Sequence, residues 1–479
     1  MFVAQTLYFY DLETTGTDTR NDRVMQFAGQ RTDMQLNNVG QPDNFLIKLS
    51  DDIVPNPTAV MITGITPQKS INEGITESEF LKIFTSEISV PGTIFVGFNS
   101  VRFDDELMRF MLYRNFYDAY EWHWQEGRSR WDMLDVVRMM RALRPEGINW
   151  PFDKDSKPTN RLELLTGLNA IEHGNAHDAL SDVFALIDLA RLIRKKQPKL
   201  FDFMLNIRDK KDVSKLVNSG QPFVYTSGKY SNDWQKTTVV AVVADYANRG
   251  SLVFDLRNDP TEFASMSPIE MAKAWTRRHN EEGIKLPIKK LLFNHCPAIA
   301  PLAVMDLNSQ KRLGIKLETV LKNFKKLQET DLRTPLLEAL DIVEKSKLAK
   351  TEPNEDVDTK LYDGFLDNND KNISQIIRQS KPEELNGFLT KIKDQRLQGL
   401  LPLYKARNFH SSLDSQELKE WEEYRRRRLM GGKQSSRLAI FFKNLALIAN
   451  EPNLTPEKQY LLEELQLYGQ SIMPNDTDD

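Results

Sequence analysis

Residues 9–16 read FYDLETTG, an apolar run that ends in two acids, Asp11 and Glu13, and turns on Thr14, Thr15 and Gly16. If residues 6–13 form a strand, side chains alternate, and Asp11 and Glu13 share one face with Cβ atoms roughly 7 Å apart. Two carboxylates so placed repel each other unless something positive lies between them. A divalent cation that prefers oxygen ligands, such as Mg²⁺, answers that repulsion. Gly16 lets the backbone approach a ligand closely. A strand end with two solvated acids and a turn accounts for the same residues, so the octapeptide alone leaves both readings open.

Working outward, the short apolar runs TLYFYDLE and GTIFVGF alternate with helical patterns in DDELMRFMLYRNF and AHDALSDVFALIDLARLIRKK. Strands alternating with helices predict an α/β layered domain over residues 1–198. Its clearest helix is expected from about Asn175, as the cap, to Lys196, with Pro198 stopping it. Residues 199–350 open β-rich: TTVVAVVADY and GSLVFDLR around ANRG predict a hairpin. The stretch KSKLAKTEPNEDVDTK reads as a linker, and residues 351–479 as a helical domain whose tail MPNDTDD is expected to be disordered.

The totals bound the function. A chain of 479 residues exceeds one ordinary domain. Its 40% hydrophobic and 28% charged residues are those of a soluble globular protein. No apolar run approaches the roughly 20 residues needed to span a bilayer, so no membrane partner is expected, and the N-terminus does not read as a signal peptide. One cysteine, Cys296, excludes a disulfide framework within the chain and makes the cytoplasm the expected compartment. Cys296 and His295 are two ligands short of a metal site and are read as structural. The net charge of −4 argues against a general polyanion-binding surface but permits a local basic groove.

Two later stretches add acids. In GFNSVRFDDELMRF a strand-like run gives way to a helix near Asp104. Asp104 and Asp105 point about 100° apart on a helix, so only one faces a shared site. In EHGNAHDALSDV, His177 and Asp182 lie at the start of the long helix, far enough apart to lean toward one cleft without touching. Each feature alone is also what an ordinary helix start looks like.

Taken together, Asp-x-Glu on a first strand, Phe-Asp after a later strand and His-x-x-x-x-Asp on a following helix resemble the DEDD superfamily of 3′→5′ exonucleases, in its histidine variant. The resemblance selects Asp104 over Asp105 and implies a site of Asp11, Glu13, Asp104, His177 and Asp182. The runs NSVRFDDE, YRNFYD, SRWD, ALRPEGINWP, RLELLTGLNAIEHGNAHDA and QPKLFDF are more narrowly similar to the bacterial exonuclease I family. That resemblance implies a ribonuclease H-like exonuclease domain with a mixed sheet and flanking helices. A small β-barrel-like domain and a helical C-terminal domain would follow, closing a C-shaped molecule around a single strand. It implies a monomeric enzyme that degrades single-stranded DNA to 5′-mononucleotides in repair and recombination. Two Mg²⁺ ions, replaceable by Mn²⁺, would be held by Asp11, Glu13, Asp104 and Asp182. In the assignment this suggests, Asp11 bridges both ions, Glu13 and Asp182 serve the ion of the attacking water, and Asp104 serves the leaving-group side. His177 would take the water's proton, for which an ordinary imidazole pKa of about 6.5 is suited.

The segment from Arg102 to Arg144 holds nine aromatics and eight arginines in 43 residues, where the chain averages 9% aromatic. Interleaved rings and guanidiniums suit a single strand, stacking bases and holding phosphates. Arg109, Tyr120, Trp124 and Arg138 are the expected contacts, while Phe103, Phe110 and Trp131 are expected in the core. The resemblance adds Arg161 near the cleavage point, and Thr14, Gly16 and Phe98 around the terminal nucleotide. It also implies binding of the acidic, phenylalanine-ended tail of the single-stranded-DNA-binding protein, with Arg144 and Arg312 at a basic pocket. The run RRRR at 425–428 follows EWEE and is read as a salt-bridged, exposed helix face. A 3′→5′ exoribonuclease and a non-catalytic strand-binding scaffold remain the alternatives.

Overall fold

The computed structural model describes residues 4–174, 178–247, 249–278, 281–350, 356–432 and 435–474. They divide into two compact units, one of residues 1–129, 173–184 and 354–479, the other of residues 130–172 and 185–353.

The first unit is built on a mixed sheet. Its strands are β1 (Thr6–Thr14), β2 (Val24–Thr32), β3 (Asp43–Leu46), β4 (Thr93–Gly97) and β5 (Ser129–Asp132), in the order β3-β2-β1-β4-β5; the boundary between the units falls inside β5. β1 pairs antiparallel with β2 and parallel with β4, which makes it the central strand. A central strand is covered on both faces, hence the unbroken apolar run from Leu7 to Tyr10, all buried. Tyr8, Tyr10 and Leu12 face a core with Phe27, Phe80, Phe84, Phe95 and Trp122. Its rings meet edge-on, as Phe95–Trp122 at a centroid distance of 4.8 Å, tilted, as Phe27–Phe80 at 4.9 Å, or stacked, as Tyr10–Phe27 at 6.1 Å. Period two therefore sends Asp11 and Glu13 to the opposite face.

The helix Asp104–Arg114 is buried along most of its length. Phe110 and Tyr113, with Phe116 beyond its end, pack with Ile377, Leu400, Leu401 and Tyr404 of the C-terminal helices. A buried ion network strengthens this join. Asp358, wholly buried, accepts from Arg23 at 2.6 Å and from Arg407 at 2.8 Å. Asp52, also wholly buried, accepts from Arg407 at 2.7 Å, and Arg428 approaches it at 3.3 Å. These guanidiniums hold Asp52 down at about 2 and Asp358 well below the usual carboxylate range, against the opposing effect of burial.

Two expectations are corrected here. Arg425 and Arg428 of the RRRR run are buried in ion pairs with Asp51, Glu422, Asp52 and Asp356, so half of that run is not an exposed face. The linker reading of residues 345–360 is narrowed at both ends: residues 351–355 lie outside the described residues, and the boundary between the two units falls at 353/354. The helix Arg333–Lys350 runs through KSKLAK, and the buried Asp358 lies in the segment's last turn. The arginine run departs from expectation because Arg425 and Arg428 also meet Asp51 and Asp52, more than 300 residues away in the chain. The tail 475–479 lies outside the described residues.

The second unit carries an antiparallel sheet of β6 (Phe223–Thr226), β7 (Thr237–Tyr246), β8 (Gly250–Asp255), β9 (Ile288–Leu292) and β10 (Ala298–Pro301), ordered β10-β6-β7-β8-β9. The expected hairpin is β7–β8, with a bulge between Val242 and Ala244. β10 and β9 lie at opposite edges, so the described sheet is open, not a closed barrel. Cys296 is buried, and its thiol donates to the Arg130 carbonyl at 3.3 Å. Trp131 and Phe110 are core residues, and Phe103 is packed against the aromatic core. No helix among the described residues is long and apolar enough to cross a membrane.

Candidate active site

β1 delivers Asp11 and Glu13, and the first turn of the helix Ala179–Lys196 delivers Asp182. One carboxylate oxygen from each lies within 4.8 Å of the others. Such proximity penalises the charged forms. Burial, then Asp104 and Asp182, push the Asp11 carboxyl well above its usual range. Burial, then Asp11, Asp182 and Asp178, push Glu13 up to about 9. The donor set is all oxygen and excess negative charge, which fits hard divalent cations.

Asp104 and Asp105 open the helix Asp104–Arg114, and both are buried. The Tyr10 hydroxyl, on the aromatic side of β1, donates to Asp105. Asp104 acts electrostatically on Asp11, on the other side. It stands outside the close group of three. The two adjacent acids thus face different neighbours, as their angular separation requires.

The helix begins at Ala179, and the expected cap Asn175 and the expected base His177 lie outside the described residues. Sequence reasoning passed over the other histidine of EHGNAHD. The His173 ring nitrogen Nε2 is hydrogen-bonded to Asp182 Oδ1. Gln26, across on β2, donates to Asp178 at 3.3 Å.

The loop after β1 is held by side chains. Thr14 donates to the Gly16 carbonyl at 2.7 Å, and Thr15 to Asp22 at 2.8 Å. Asp22 also accepts from the Asp18 backbone at 2.7 Å. A Cβ on Gly16 would lie 2.5 Å from Asp22 Oδ2, so here the glycine answers to a close approach. Phe98, just past β4, is half-buried.

The expected strand contacts are differently placed. Trp124 is 59% exposed. Arg109 is buried, ion-paired to Glu106, stacked over Tyr120 at 5.5 Å and 3.2 Å from His123 Nε2. In the second unit, Arg138 pairs with Asp135 at 2.6 Å, and the exposed Arg161 with Glu163 at 2.5 Å. Arg144 donates to the Val304 carbonyl at 2.9 Å, and Arg312 to the Ala142 carbonyl at 2.7 Å. Arg144 lines an apolar recess of about 540 Å³ with Leu143, Leu200, Phe203 and Val304. Sequence reasoning missed Phe203, although it closes the QPKLFDF run.

A mixed sheet with acids converging from its central strand and a following helix belongs to nuclease domains, and the family model described as Exonuclease matches residues 8–190. Two further models, Exonuclease I SH3-like domain and Exonuclease I C-terminal domain, match residues 208–340 and 355–472. Exodeoxyribonuclease I of Haemophilus influenzae is 39% identical over 476 residues, covering 97% of this chain and 98% of the relative. The structure of a moderately thermophilic exonuclease I from Methylocaldum szegediense superposes with a TM-score of 0.90 at 38% identity, covering 98% of this chain and 99% of that one. The zinc-bound complex of Escherichia coli exonuclease I with single-stranded DNA superposes with a TM-score of 0.88 at 36% identity, covering 98% and 100%. The chain belongs to the exonuclease I family.

Proposed function

We propose that this enzyme is a 3′→5′ exonuclease that hydrolyses single-stranded DNA to 5′-mononucleotides with divalent cations, Mg²⁺ in the cell and Mn²⁺ as a substitute. The observation that carries the reading is the convergence of Asp11, Glu13 and Asp182, with the Glu13 carboxyl pushed up to about 9, on a chain of this family. Such a cluster is costly to keep without cations, and its oxygens are the ligands they prefer. The relative's complex contains both zinc and single-stranded DNA.

Asp11, Glu13 and Asp182 would hold one cation, and Asp104 would share a second with Asp11. Bound cations of this kind neutralise charge on the phosphate and lower the pKa of a water. The remaining work falls to the chain. His177 accepts the proton of the attacking water. The Thr14–Gly16 loop and Phe98 hold the terminal nucleotide, and Arg161 the phosphate. Tyr120 and the exposed Trp124 offer rings to bases, Arg138 offers charge, and the buried Arg109, paired to Glu106, backs the Tyr120 ring. The recess at Arg144, flanked by Arg312, suits an acidic peptide ending in an aromatic residue, as in the tail of the single-stranded-DNA-binding protein. A monomer acting in cytoplasmic DNA repair completes the reading.

The test is a single-stranded DNA oligonucleotide labelled at its 5′ end, incubated with Mg²⁺, with EDTA, and with an Asp182→Ala variant. The expected result is a ladder shortening from the 3′ end only with wild type and Mg²⁺. Immediate release of labelled mononucleotide reverses the polarity. Faster digestion of a matched RNA makes the enzyme an exoribonuclease. An intact strand that stays bound makes the protein a scaffold.

A further inference from the structure

The His173 imidazole lies beside the active-site acids without any role in the mechanism above. Its side chain is only 7% exposed, and its Nε2 is hydrogen-bonded to Oδ1 of Asp182. Asp182 is one of the three converging carboxylates. Its backbone is fixed separately, by the amide donating to the Asp178 carbonyl at 3.0 Å in the first turn of the helix. Backbone anchoring does not set the two χ angles of the side chain, whereas a ring held against one oxygen restricts them. It also commits one oxygen of the carboxylate to the ring.

We propose that His173 is a positioning residue for cation binding: it holds the Asp182 carboxylate in the rotamer that faces Asp11 and Glu13. The inference rests on the reading of those acids as the cation site. A ligand carboxylate is commonly oriented by a hydrogen bond from outside the site, and losing such a partner typically weakens metal affinity 10- to 100-fold. The need is acute here because Asp182 must be kept close to two like charges that its own rotation would relieve. The position of the nitrogen is specific. Glutamine places its amide nitrogen about where Nε2 sits, whereas asparagine, one methylene shorter, does not reach it.

Three full-length variants test this: His173→Gln, His173→Asn and His173→Leu. Mn²⁺ alone is titrated calorimetrically into each without DNA, and hydrolysis of a 5′-labelled oligonucleotide is measured across a Mn²⁺ series. The expected result is a 10-fold or greater loss of Mn²⁺ affinity in the Leu and Asn variants, with Gln within threefold of wild type. Hydrolysis by the weakened variants should return to near the wild-type rate at saturating Mn²⁺. Unchanged Mn²⁺ affinity in all three overturns the proposal. So does unchanged affinity with hydrolysis lost at every Mn²⁺ concentration, which would make His173 catalytic. If the Leu variant fails to fold, the contrast between Gln and Asn still decides, and equal behaviour of those two overturns the positioning role. Should wild type bind Mn²⁺ without hydrolysing DNA, the calorimetric arm still judges His173 while the exonuclease reading alone fails.

Discussion

Replacing Glu13 by glutamine should stabilise the cation-free protein while abolishing its activity. In the folded chain the Glu13 carboxyl is pushed from its ordinary 4.5 up to about 9. For an acid whose folded pKa is raised, stability falls as pH rises from the unfolded value and levels off above the folded one. At pH 7 the unfolded chain has lost that proton and the folded chain keeps it, over 2.5 pH units above the unfolded pKa. At 1.36 kcal/mol per unit the penalty is at most about 3 kcal/mol. Water on the open side of the cluster and the shared titration with Asp11 and Asp182 reduce it. Glutamine removes the ionisation and keeps the shape. Urea denaturation in EDTA should show Glu13→Gln more stable than wild type by 1–3 kcal/mol at pH 7, by under about 1 kcal/mol at pH 5, and with a difference still growing toward pH 9. In saturating Mn²⁺ the order should reverse, because wild type gains binding energy that the variant has lost. A variant less stable than wild type in EDTA, or a difference indifferent to pH, would refute the account of strained carboxylates.

Four other outcomes follow from the same coordinates. Asp358→Ala leaves Arg23, Arg407 and Arg428 buried without their shared acid and should cost about 3–5 kcal/mol in urea denaturation. In wild type the contribution of Asp52 is fully present above about pH 4 and should be lost as pH falls through about 2, seen as acid unfolding in that window, and Asp358, held well below the usual carboxylate range by the same arginines, acts in the same direction. Gly16→Ala puts a Cβ 2.5 Å from the Asp22 carboxylate and should raise KM for short oligonucleotides at least about tenfold, with Mn²⁺ affinity kept. Phe203→Ala should weaken an acidic, phenylalanine-ended peptide about tenfold by fluorescence anisotropy, without changing hydrolysis of free DNA.

The sequence was most informative where local periodicity decides placement. Alternation along FYDLETTG puts Asp11 and Glu13 on one face, and the structure brings them together there, opposite Tyr8 and Tyr10. The hairpin was legible because two β-branched runs flank a short turn. What local pattern cannot show is which distant side chain answers a charge. Four arginines after EWEE look solvated until Asp52 and Asp356 arrive from elsewhere in the chain. The helical continuation through KSKLAK was hidden by its lysines, which are compatible with an exposed helix and with a linker alike. The choice between Asp104 and Asp105 rested on family resemblance; the Tyr10 hydroxyl on Asp105 supplies a physical reason for it. His173 escaped notice because a second histidine four residues on better matched the expected spacing.

The ion network has a consequence for the making of the molecule. Arg23 and Asp52 are synthesised early, but Arg428, which bonds the Asp52 carbonyl, follows 376 residues later. At translation speeds of roughly 5–20 residues per second, about 20–75 seconds pass before the last partner emerges. Until then Asp52, in the turn that follows β3, lacks the guanidiniums of Arg407 and Arg428. A chain cut short by premature termination therefore never completes the unit that carries its acids.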